Sequence, residues 1–421
     1  MDISKRYDEI ARCNRCGFCQ VACPIFRATG QENGVARGRV ATLRALVEKR
    51  LEWSPEIEES LFACLLCGAC TANCFPALPT ADLITAARGE YLEKVGIRRL
   101  QRLLFDHLLP YPKRLRIAAR AAALGKNSGA SKVAKTLGLL RLLGHNLEKI
   151  EGIVDHVPVS ALREKYKPGV EMKGQGEKLR VGYFVGCGTD IMAPVAGEIS
   201  LQILLSLCKS VTVLNNCCCG LPPETYGEHK AARKLASKNL DLLDPSKYDA
   251  IVTDCSSCAS FLKKYPTLFP KGDPCQEAAK ALAGKVRDFL EMAAPGTKTI
   301  SGDKPLIVTY HDPCHASRGQ GLTAAPRKIL RSLSNVEYRE LPEADWCCGG
   351  AGSYALSHYE LSRKVLERKM DNVEKTGAQI LATSCPACMI QLSYGVRMRK
   401  LAVRVCHISE VIALSKPPLK D

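Results

Sequence analysis

The sequence predicts an α+β protein of several domains, in which a helical, metal-binding N-terminal domain precedes two duplicated α/β domains with parallel sheets. Three observations predict this arrangement. Two closely spaced runs of four cysteines lie before residue 80. In the C-terminal half, a pair of adjacent cysteines followed by glycine occurs twice with matching cysteines on both sides. Short β-branched runs precede those cysteines and alternate with helical patterns, as in a parallel sheet.

The N-terminal cysteines form two runs with the spacing C-x2-C-x2-C-x3-C, each followed by proline at once or after one residue. This is the spacing of bacterial two-cluster ferredoxins, in which the fourth cysteine of each run binds the other cluster. Zinc knuckles, the alternative, would show two separated C-x2-C pairs. We therefore predict a two-cluster ferredoxin-type domain over residues 1–92, with one cubane [4Fe-4S] cluster on Cys13, Cys16, Cys19 and Cys74 and the other on Cys64, Cys67, Cys70 and Cys23.

Two arginines, Arg37 and Arg39, stand between the runs, just before an amphipathic helix predicted over Val40 to Arg50. They are expected to fix an interdomain turn or to offset the charge of a cluster. A solvated basic turn is the alternative.

Residues 93–177 are predicted to form a basic helical connector and a linker. From Val95 to His145, eleven basic residues accompany one acid, Asp106, and leucines recur at helical spacing. Such a helix lies on an anionic membrane surface, docks on an acidic partner, or packs its leucines within its own chain. All three interpretations remain open. Prolines and glycines between Glu151 and Lys178 are typical of a linker.

Two similar units follow, which we call the first unit (178–300) and the second unit (301–421). Each has a single cysteine, an adjacent pair and a C-x-x-C at closely matching distances, which indicates an internal duplication. The candidate ligands are Cys187, Cys218, Cys219, Cys255 and Cys258 in the first unit, and Cys314, Cys347, Cys348, Cys385 and Cys388 in the second.

Each group of cysteines follows a predicted strand. Because the strands of a parallel sheet end at one edge, the five cysteines of a unit should converge there. A helix after Cys258 or Cys388 would direct its positive N-terminal end at the thiolates. The predicted strands are 179–185, 210–214 and 250–253 in the first unit, and 305–310, 336–339 and 379–383 in the second.

The two histidines near Cys314 have two interpretations each. His311 and His315 flank Cys314 and would tune a cluster or relay protons, or else be core histidines with satisfied hydrogen bonds. Cys217 extends the first pair to a triplet and stays outside the predicted ligand set. The three cysteines without a partner at motif spacing are expected in the core: Cys208, Cys275 and Cys406.

Composition restricts the compartment and the chemistry. The chain has 22 cysteines, no export signal at its N-terminus and no apolar run long enough to span a membrane. These features favour a cytosolic protein with metal-bound thiolates. The formal charge is +17, but nothing predicts a nucleic-acid partner. Neither a dinucleotide fingerprint nor a G-x4-GK[ST] loop occurs, so electrons must enter from another redox protein.

With these motifs in place, nearly the whole chain resembles the iron-sulfur subunit of bacterial glycolate and lactate dehydrogenases. Gly34 to Arg39 and Cys348 to Leu356 are most similar to that branch. It belongs to a wider class of proteins with cysteine-rich CCG domains. The class includes the catalytic subunit of heterodisulfide reductase and the anchor subunit of anaerobic glycerol-3-phosphate dehydrogenase.

The resemblance implies an electron-transfer subunit of a flavin-dependent 2-hydroxy-acid dehydrogenase. A partner subunit holds FAD and oxidises lactate or glycolate, and this chain passes electrons to a quinone or another carrier, such as an electron-transfer flavoprotein. No catalytic residue of its own is predicted. Disulfide reduction, as in heterodisulfide reductase, and a quinone-linked anchor role are the alternatives. The expected location is the cytoplasm, with contact to the inner face of the membrane through 95–145 as a further alternative.

In the wider class, complete five-cysteine units hold noncubane [4Fe-4S] clusters. The resemblance therefore implies one or two such clusters on the ten cysteines of the two units. In some relatives one unit holds zinc instead, so zinc is the alternative at one of the two sites.

Overall fold

A computed structural model describes residues 2–136, 147–293, 305–352 and 354–414. Part of the predicted basic segment, 137–145, lies outside these residues. The described chain contains an N-terminal helical part, a helical connector and two β-sheets. Among the described helices, none is both long enough and apolar enough to cross a membrane.

The N-terminal part consists of short helices because the cysteine runs interrupt them. Each run turns through a glycine in the left-handed region, Gly17 with φ 88° and Gly68 with φ 72°, and a helix starts at the next residue. Leu43, Leu83 and Ile84 lie in its core. The helices are Ile3–Arg6 (3-10), Tyr7–Ala11, Phe18–Ala22, Pro24–Thr29, Glu32–Gly34 (3-10), Ala36–Val47, Pro55–Phe62, Ala69–Ala72 and Thr80–Val95.

The connector packs only part of its leucine-rich face. Phe105 and Leu109 are buried in the core shared with the first unit, and the Cys218 N–H donates to the Leu109 carbonyl over 3.3 Å. Leu100 and Leu103 are instead exposed by 78% and 50%. The described helices are Arg99–Leu103, Leu104–Leu108 (a π-helix), Pro112–Asn127, Ala130–Thr136, Leu147–Ile150 and Leu162–Lys165.

The first unit contains a five-stranded sheet in the order β1-β3-β2-β4-β5. β1 pairs with β3 antiparallel, whereas the other neighbours are parallel. The predicted linker is therefore partly structured, because its residues 171–173 extend the sheet as an edge strand. The strands are β1 Glu171–Lys173, β2 Arg180–Tyr183, β3 Ser210–Val213, β4 Ala250–Thr253 and β5 Val286–Asp288.

The second unit has a four-stranded parallel sheet in the order β7-β6-β8-β9. This order repeats β3-β2-β4-β5 of the first unit, as the duplication predicts. All six predicted strands are present, and β1, β5 and β9 were missed. The strands are β6 Leu306–Tyr310, β7 Val336–Tyr338, β8 Ile380–Thr383 and β9 Arg404–His407.

Helices pack against both sheets and begin close to the predicted ligands. In the first unit they are Cys187–Met192, Pro194–Leu207, Leu221–Tyr226, His229–Leu242, Pro245–Lys247 (3-10), Ser256–Lys263, Tyr265–Leu268 (3-10), Cys275–Lys285 and Phe289–Met292. In the second they are Cys314–Gln320, Ala324–Arg331, Tyr354–Ser357, Tyr359–Thr376, Pro386–Arg399 and Ile408–Leu414.

Candidate metal centres

The cysteines of the two N-terminal runs line two adjacent cavities. The first cavity contains the four cysteines predicted for one cubane, together with Cys70. The second cavity contains the four predicted for the other cubane. Cys70 therefore lies in the wall between them. The cavities group the cysteines as the crossed pattern predicts, although the ligand assignment itself stays a prediction.

The donor set of these cavities fits an iron-sulfur cluster. Thiols are the metal-binding side chains that line them, and none of the described residues lining either cavity is a carboxylate. Soft thiolate ligands favour iron-sulfur clusters or zinc and disfavour magnesium and calcium.

Among the described residues, two buried arginines near the thiols of the second cavity have no carboxylate partner. Arg39 is 1% exposed, its Nε donates to the Ser60 carbonyl over 2.7 Å, and its Nη2 has no partner among the described residues. Arg88 donates over 2.7 Å to the carbonyls of Leu61 and Cys64, and burial lowers its pKa to about 10. A buried cation is costly unless an anion accompanies it. An anionic cluster on the neighbouring thiolates would be that anion.

These positions decide between the two interpretations of Arg37 and Arg39. Arg37 pairs with Glu32 over 2.5 Å and donates to the Arg15 carbonyl beside the first cavity, which holds the turn. Arg39 is buried at the second cavity. A solvated basic turn is therefore wrong for Arg39.

Cysteines of both duplicated units line one shared cavity of about 260 Å³. The expectation that each unit would gather its five cysteines separately is therefore incomplete. Cys218 does not line the cavity, but its Sγ lies 3.9 Å from the Sγ of Cys187. The lining thiols are those of Cys187, Cys219, Cys255, Cys258, Cys314, Cys347, Cys348, Cys385 and Cys388, joined by Cys64 of the ferredoxin-type part.

Helix N-termini surround the shared cavity. Cys187 and Cys314 are the first residues of their helices, while Cys255 and Cys385 are N-cap residues. The C-x-x-C helices thus begin directly after the first cysteine, earlier than predicted. The positive ends of these helices stabilise thiolates.

The second cysteine of each adjacent pair is the preferred thiolate. Hydrogen bonds from the thiols of Cys218 and Cys258 lower the pKa of Cys219 to about 5. Those from Cys347 and Cys388 lower the pKa of Cys348 well below its ordinary value. Because the thiolate is the metal-binding form, both units present a preorganised ligand at the same position.

A buried basic group lies near the thiols of each unit. Lys369 is fully buried, its Nζ donates to the carbonyls of Glu343 and Ala344, and burial lowers its pKa to about 8. Arg163, in the connector helix Leu162–Lys165, donates over 2.6 Å to the carbonyls of Asn216 and Val185 and pairs with Asp190 over 3.6 Å. Together with Arg88, these residues were not found from the sequence because no local pattern marks a cation whose partner lies in another element.

The second cavity adjoins the shared cavity, because Cys64 lines both and a further pair of thiols meets between them. Cys67 contacts Cys347, and this contact raises the pKa of Cys67 well above its ordinary value. Arg318 bridges the same junction, because its Nη1 donates to the Cys67 carbonyl over 3.4 Å and its Nη2 pairs with Asp345 over 2.7 Å.

The two histidines near Cys314 lie in different surroundings. His315 lines the shared cavity, its Nδ1 lies 3.0 Å from Ser257 Oγ, and burial lowers its pKa. His311 is buried beside Cys348 and Cys388.

The remaining cysteines lie outside the shared cavity. The Cys217 thiol faces Asn239 Oδ1 at 3.4 Å. Cys208 and Cys406 are buried in the apolar core that the two sheets share, and Cys275 lies 3.8 Å from the Ser237 hydroxyl. Cys208 and Cys406 therefore lie in the core as expected, whereas Cys275 is only partly buried.

Comparison with known proteins finds three matching families along the chain. Residues 9–76 match a 4Fe-4S dicluster domain, and 181–263 and 308–393 each match a cysteine-rich domain. Residues 96–154 match the linker region of the glycolate oxidase iron-sulfur subunit. These ranges agree with the cysteine runs, the duplication and the connector predicted from the sequence.

Individual relatives cover the chain to different extents. A probable glycolate oxidase iron-sulfur subunit of Bacillus subtilis (strain 168) is 30% identical over 424 residues, which span 98% of this chain and 95% of that protein. A subunit of the fumarate reductase (CoM/CoB) of Methanothermobacter marburgensis is 26% identical over 407 residues, spanning 96% and 72%. Lactate utilization protein A of Oceanobacillus iheyensis is 29% identical over 238 residues, spanning 56% and 96%.

Proposed function

The chain belongs to the family of glycolate oxidase iron-sulfur subunits, and on that premise we propose that it relays electrons from an FAD-containing dehydrogenase subunit to a quinone or another carrier. The partner would oxidise a 2-hydroxy acid, lactate or glycolate. This chain would contribute to an oxidoreductase as its electron-transfer subunit.

The observation that carries this proposal is the unbroken row of thiol-lined cavities. Cys70 lies in the wall between the first and second cavities, and Cys67 meets Cys347 where the second cavity adjoins the shared cavity. When bound, iron-sulfur clusters at these sites supply one-electron redox chemistry. The chain's own contribution is to hold the sites next to one another and to surround them with buried cations.

We assign the partner-facing end to the first cavity, because its cysteines are the most accessible. Cys16 is exposed, Phe18 of the same cavity is exposed by 60%, and Phe75, which follows the cavity residue Cys74, is exposed by 86%. Arg12 and Arg15 are also exposed, and residues 11–31 contain no acidic side chain. An apolar patch with a basic rim fits a flavoprotein surface that has an apolar centre and an acidic rim.

The assignment of ligands is part of the proposal. The eight cysteines of the N-terminal runs would hold two cubane clusters in the crossed arrangement. The ten cysteines of the duplicated units would hold one or two noncubane clusters, with zinc as the alternative at one site. The buried Lys369, which has no carboxylate partner among the described residues, supports an anionic occupant near the second unit.

The test is purification of the tagged chain under anoxic conditions, followed by reduction of the complex with lactate and with glycolate. We expect a flavoprotein to copurify and the iron-sulfur absorption to bleach on addition of one of the two acids. Cys70→Ala should abolish the bleaching, whereas Cys275→Ala, outside all three cavities, should preserve it. A chain that remains alone and accepts no electrons from any reduced flavoprotein would refute the proposal.

A second candidate function is disulfide reduction, and the shared cavity is the observation that favours it. Nine of the ten predicted ligands of the two units face one space, whose walls include the apolar side chains of Phe62, Leu221 and Tyr354. A small disulfide bound there would take up two electrons and two protons to give two thiols. Incubation of the dithionite-reduced protein with small disulfides tests this role, and unchanged disulfides would remove it.

A further inference from the structure

His311 is a buried histidine whose ring nitrogens make no regular hydrogen bond among the described residues. Its side chain is 1% exposed, and its one polar contact there is with the thiol of Cys348, whose pKa it helps to lower. Buried polar groups are nearly always paired, because an unpaired group loses its hydration without compensation. At least one ring nitrogen therefore lacks a partner within the described part of the chain.

The groups that face this imidazole are two predicted metal ligands of the second unit. One ring nitrogen of His311 and the Sγ atoms of Cys348 and Cys388 all lie within 4.8 Å of one another. The neighbouring carboxylate of Asp312 is engaged elsewhere, since Arg327 donates to both of its oxygens over 3.0 and 2.8 Å. Nitrogen and sulfur donors at this separation suit a shared metal ion.

A second buried histidine, His407, differs from His311 in its hydrogen bonding. His407 is also 1% exposed, but its Nδ1 lies 2.7 Å from Ser409 Oγ and its Nε2 lies 2.9 Å from the Asp254 carbonyl. Both of its nitrogens are satisfied by the fold. His311 has no such pair of contacts among the described residues, although it is equally enclosed.

The duplication provides an internal comparison. His311 stands three residues before Cys314, and the residue three before Cys187 in the first unit is Phe184. Phe184 is fully buried at the end of β2, as His311 is at the end of β6. An apolar ring therefore satisfies the packing at this position, and the imidazole of the second unit adds two polar atoms that packing does not need.

We propose that His311 is a nitrogen ligand of the metal centre in the second unit, beside Cys348 and Cys388. The proposal rests on the proposed iron-sulfur function for the identity of the metal, but not on the electron-transfer partner. It makes the two duplicated sites chemically unequal.

Pulsed EPR of the dithionite-reduced holoprotein, prepared with ¹⁴N- or ¹⁵N-labelled histidine, tests the ligand directly. We expect a strong nitrogen coupling that follows the isotope, disappears in His311→Phe and persists in His315→Gln. His311→Phe copies the residue of the first unit and is expected to fold. A coupling that survives His311→Phe, or that is lost only in His315→Gln, would overturn the assignment.

If metal analysis finds zinc in the second unit, the same variants are compared by X-ray absorption at the zinc edge. Loss of one nitrogen ligand in His311→Phe would support the assignment, and an unchanged set of zinc ligands would overturn it. Both readouts are independent of the flavoprotein. Failure of electron transfer from the partner would therefore leave this result interpretable.

Discussion

The backbone N–H of Ser256 donates a hydrogen bond to the carbonyl oxygen of Ser384 over 3.0 Å, and their hydroxyl oxygens lie 2.8 Å apart. Ser256 follows Cys255 and Ser384 precedes Cys385, so this contact joins the two C-x-x-C segments. Ser257 Oγ then lies 3.3 Å from Cys385 Sγ, across the boundary between the units. We call this contact between the two C-x-x-C segments the joint. It explains why cysteines from two repeats surround one cavity.

Removing the Ser384 hydroxyl should destabilise this joint. Ser384 Oγ also lies 2.9 Å from Tyr310 Oη, so Ser384→Ala leaves the buried Tyr310 hydroxyl without its partner among the described residues, whereas Ser256 Oγ keeps its hydrogen bond to the Ser384 carbonyl over 3.1 Å. We expect the free energy of unfolding to fall by about 1–3 kcal/mol, as measured by chemical denaturation. Ser332→Ala is the control, because that hydroxyl contacts a carbonyl of its own helix. Equal stability of the two variants would contradict the role of the joint.

Replacing the buried cation at the second cavity should change a reduction potential. In Arg88→Met, a positive charge beside Cys64 disappears, and the reduced form of a cluster there loses stabilisation. EPR-monitored redox titration should show a lower midpoint potential for one cubane. Arg99→Met, an exposed arginine of the connector, should leave both potentials unchanged. A midpoint potential that does not move in Arg88→Met would exclude charge compensation by this residue.

Asp288 should make stability depend on pH in mildly acidic solution. Burial raises the pKa of its carboxyl from 3.8 to about 6, although the Leu290 N–H and the Gln320 amide donate to it. Because the folded-state pKa is the higher one, the folded protein binds more protons between pH 4 and 6. Its stability therefore falls as the pH rises through this window, by about 3 kcal/mol.

Chemical denaturation of the parent and of Asp288→Asn at about pH 4 and about pH 6 checks this sign. As the pH rises, the free energy of unfolding of the parent should fall relative to that of Asp288→Asn. Asp241→Asn, at an exposed position, is the control. A difference that is constant with pH would show that Asp288 does not titrate in this range.

Truncating the exposed aromatic at the first cavity should weaken binding of the flavoprotein. We expect Phe75→Ala to raise the Kd by about tenfold, equivalent to about 1.4 kcal/mol, since buried aromatic anchors dominate interfaces. Iron content should not change, because the side chain is 86% exposed. Leu51→Ala, at another exposed position of the same part, is the matched control. Identical Kd values for the two variants would place the interface elsewhere.

The exposed leucines of the connector test contact with a membrane. Leu100 and Leu103 are accompanied by the exposed Arg99 and Arg102, a combination that suits an anionic lipid surface. Sedimentation with anionic vesicles at low salt should therefore deplete the parent protein, and Leu100→Ser/Leu103→Ser should remain in solution. Leu242→Ser, also exposed, should sediment like the parent. Absence of binding at low salt, where electrostatic attraction is strongest, would remove the membrane role.

Several elements could be predicted because their signals are local. The cysteines within a run are separated by two or three residues, a distance over which backbone geometry alone brings thiols together. The six predicted strands agree in position with the sheets, and all but β7 are mostly buried. β1, β5 and β9 were missed because each has only three or four residues and no predicted ligand directly follows it.

The sequence by itself determined which thiols belong to a run or a repeat, where the main strands lie and which protein family the chain resembles. Tertiary structure alone decided that Cys67 meets Cys347, that Arg88 and Lys369 are buried beside thiols, and that both repeats share one cavity. These contacts join residues far apart in the chain. They arise when whole elements pack, and no spacing in the sequence encodes the distance between two surfaces that meet only after folding.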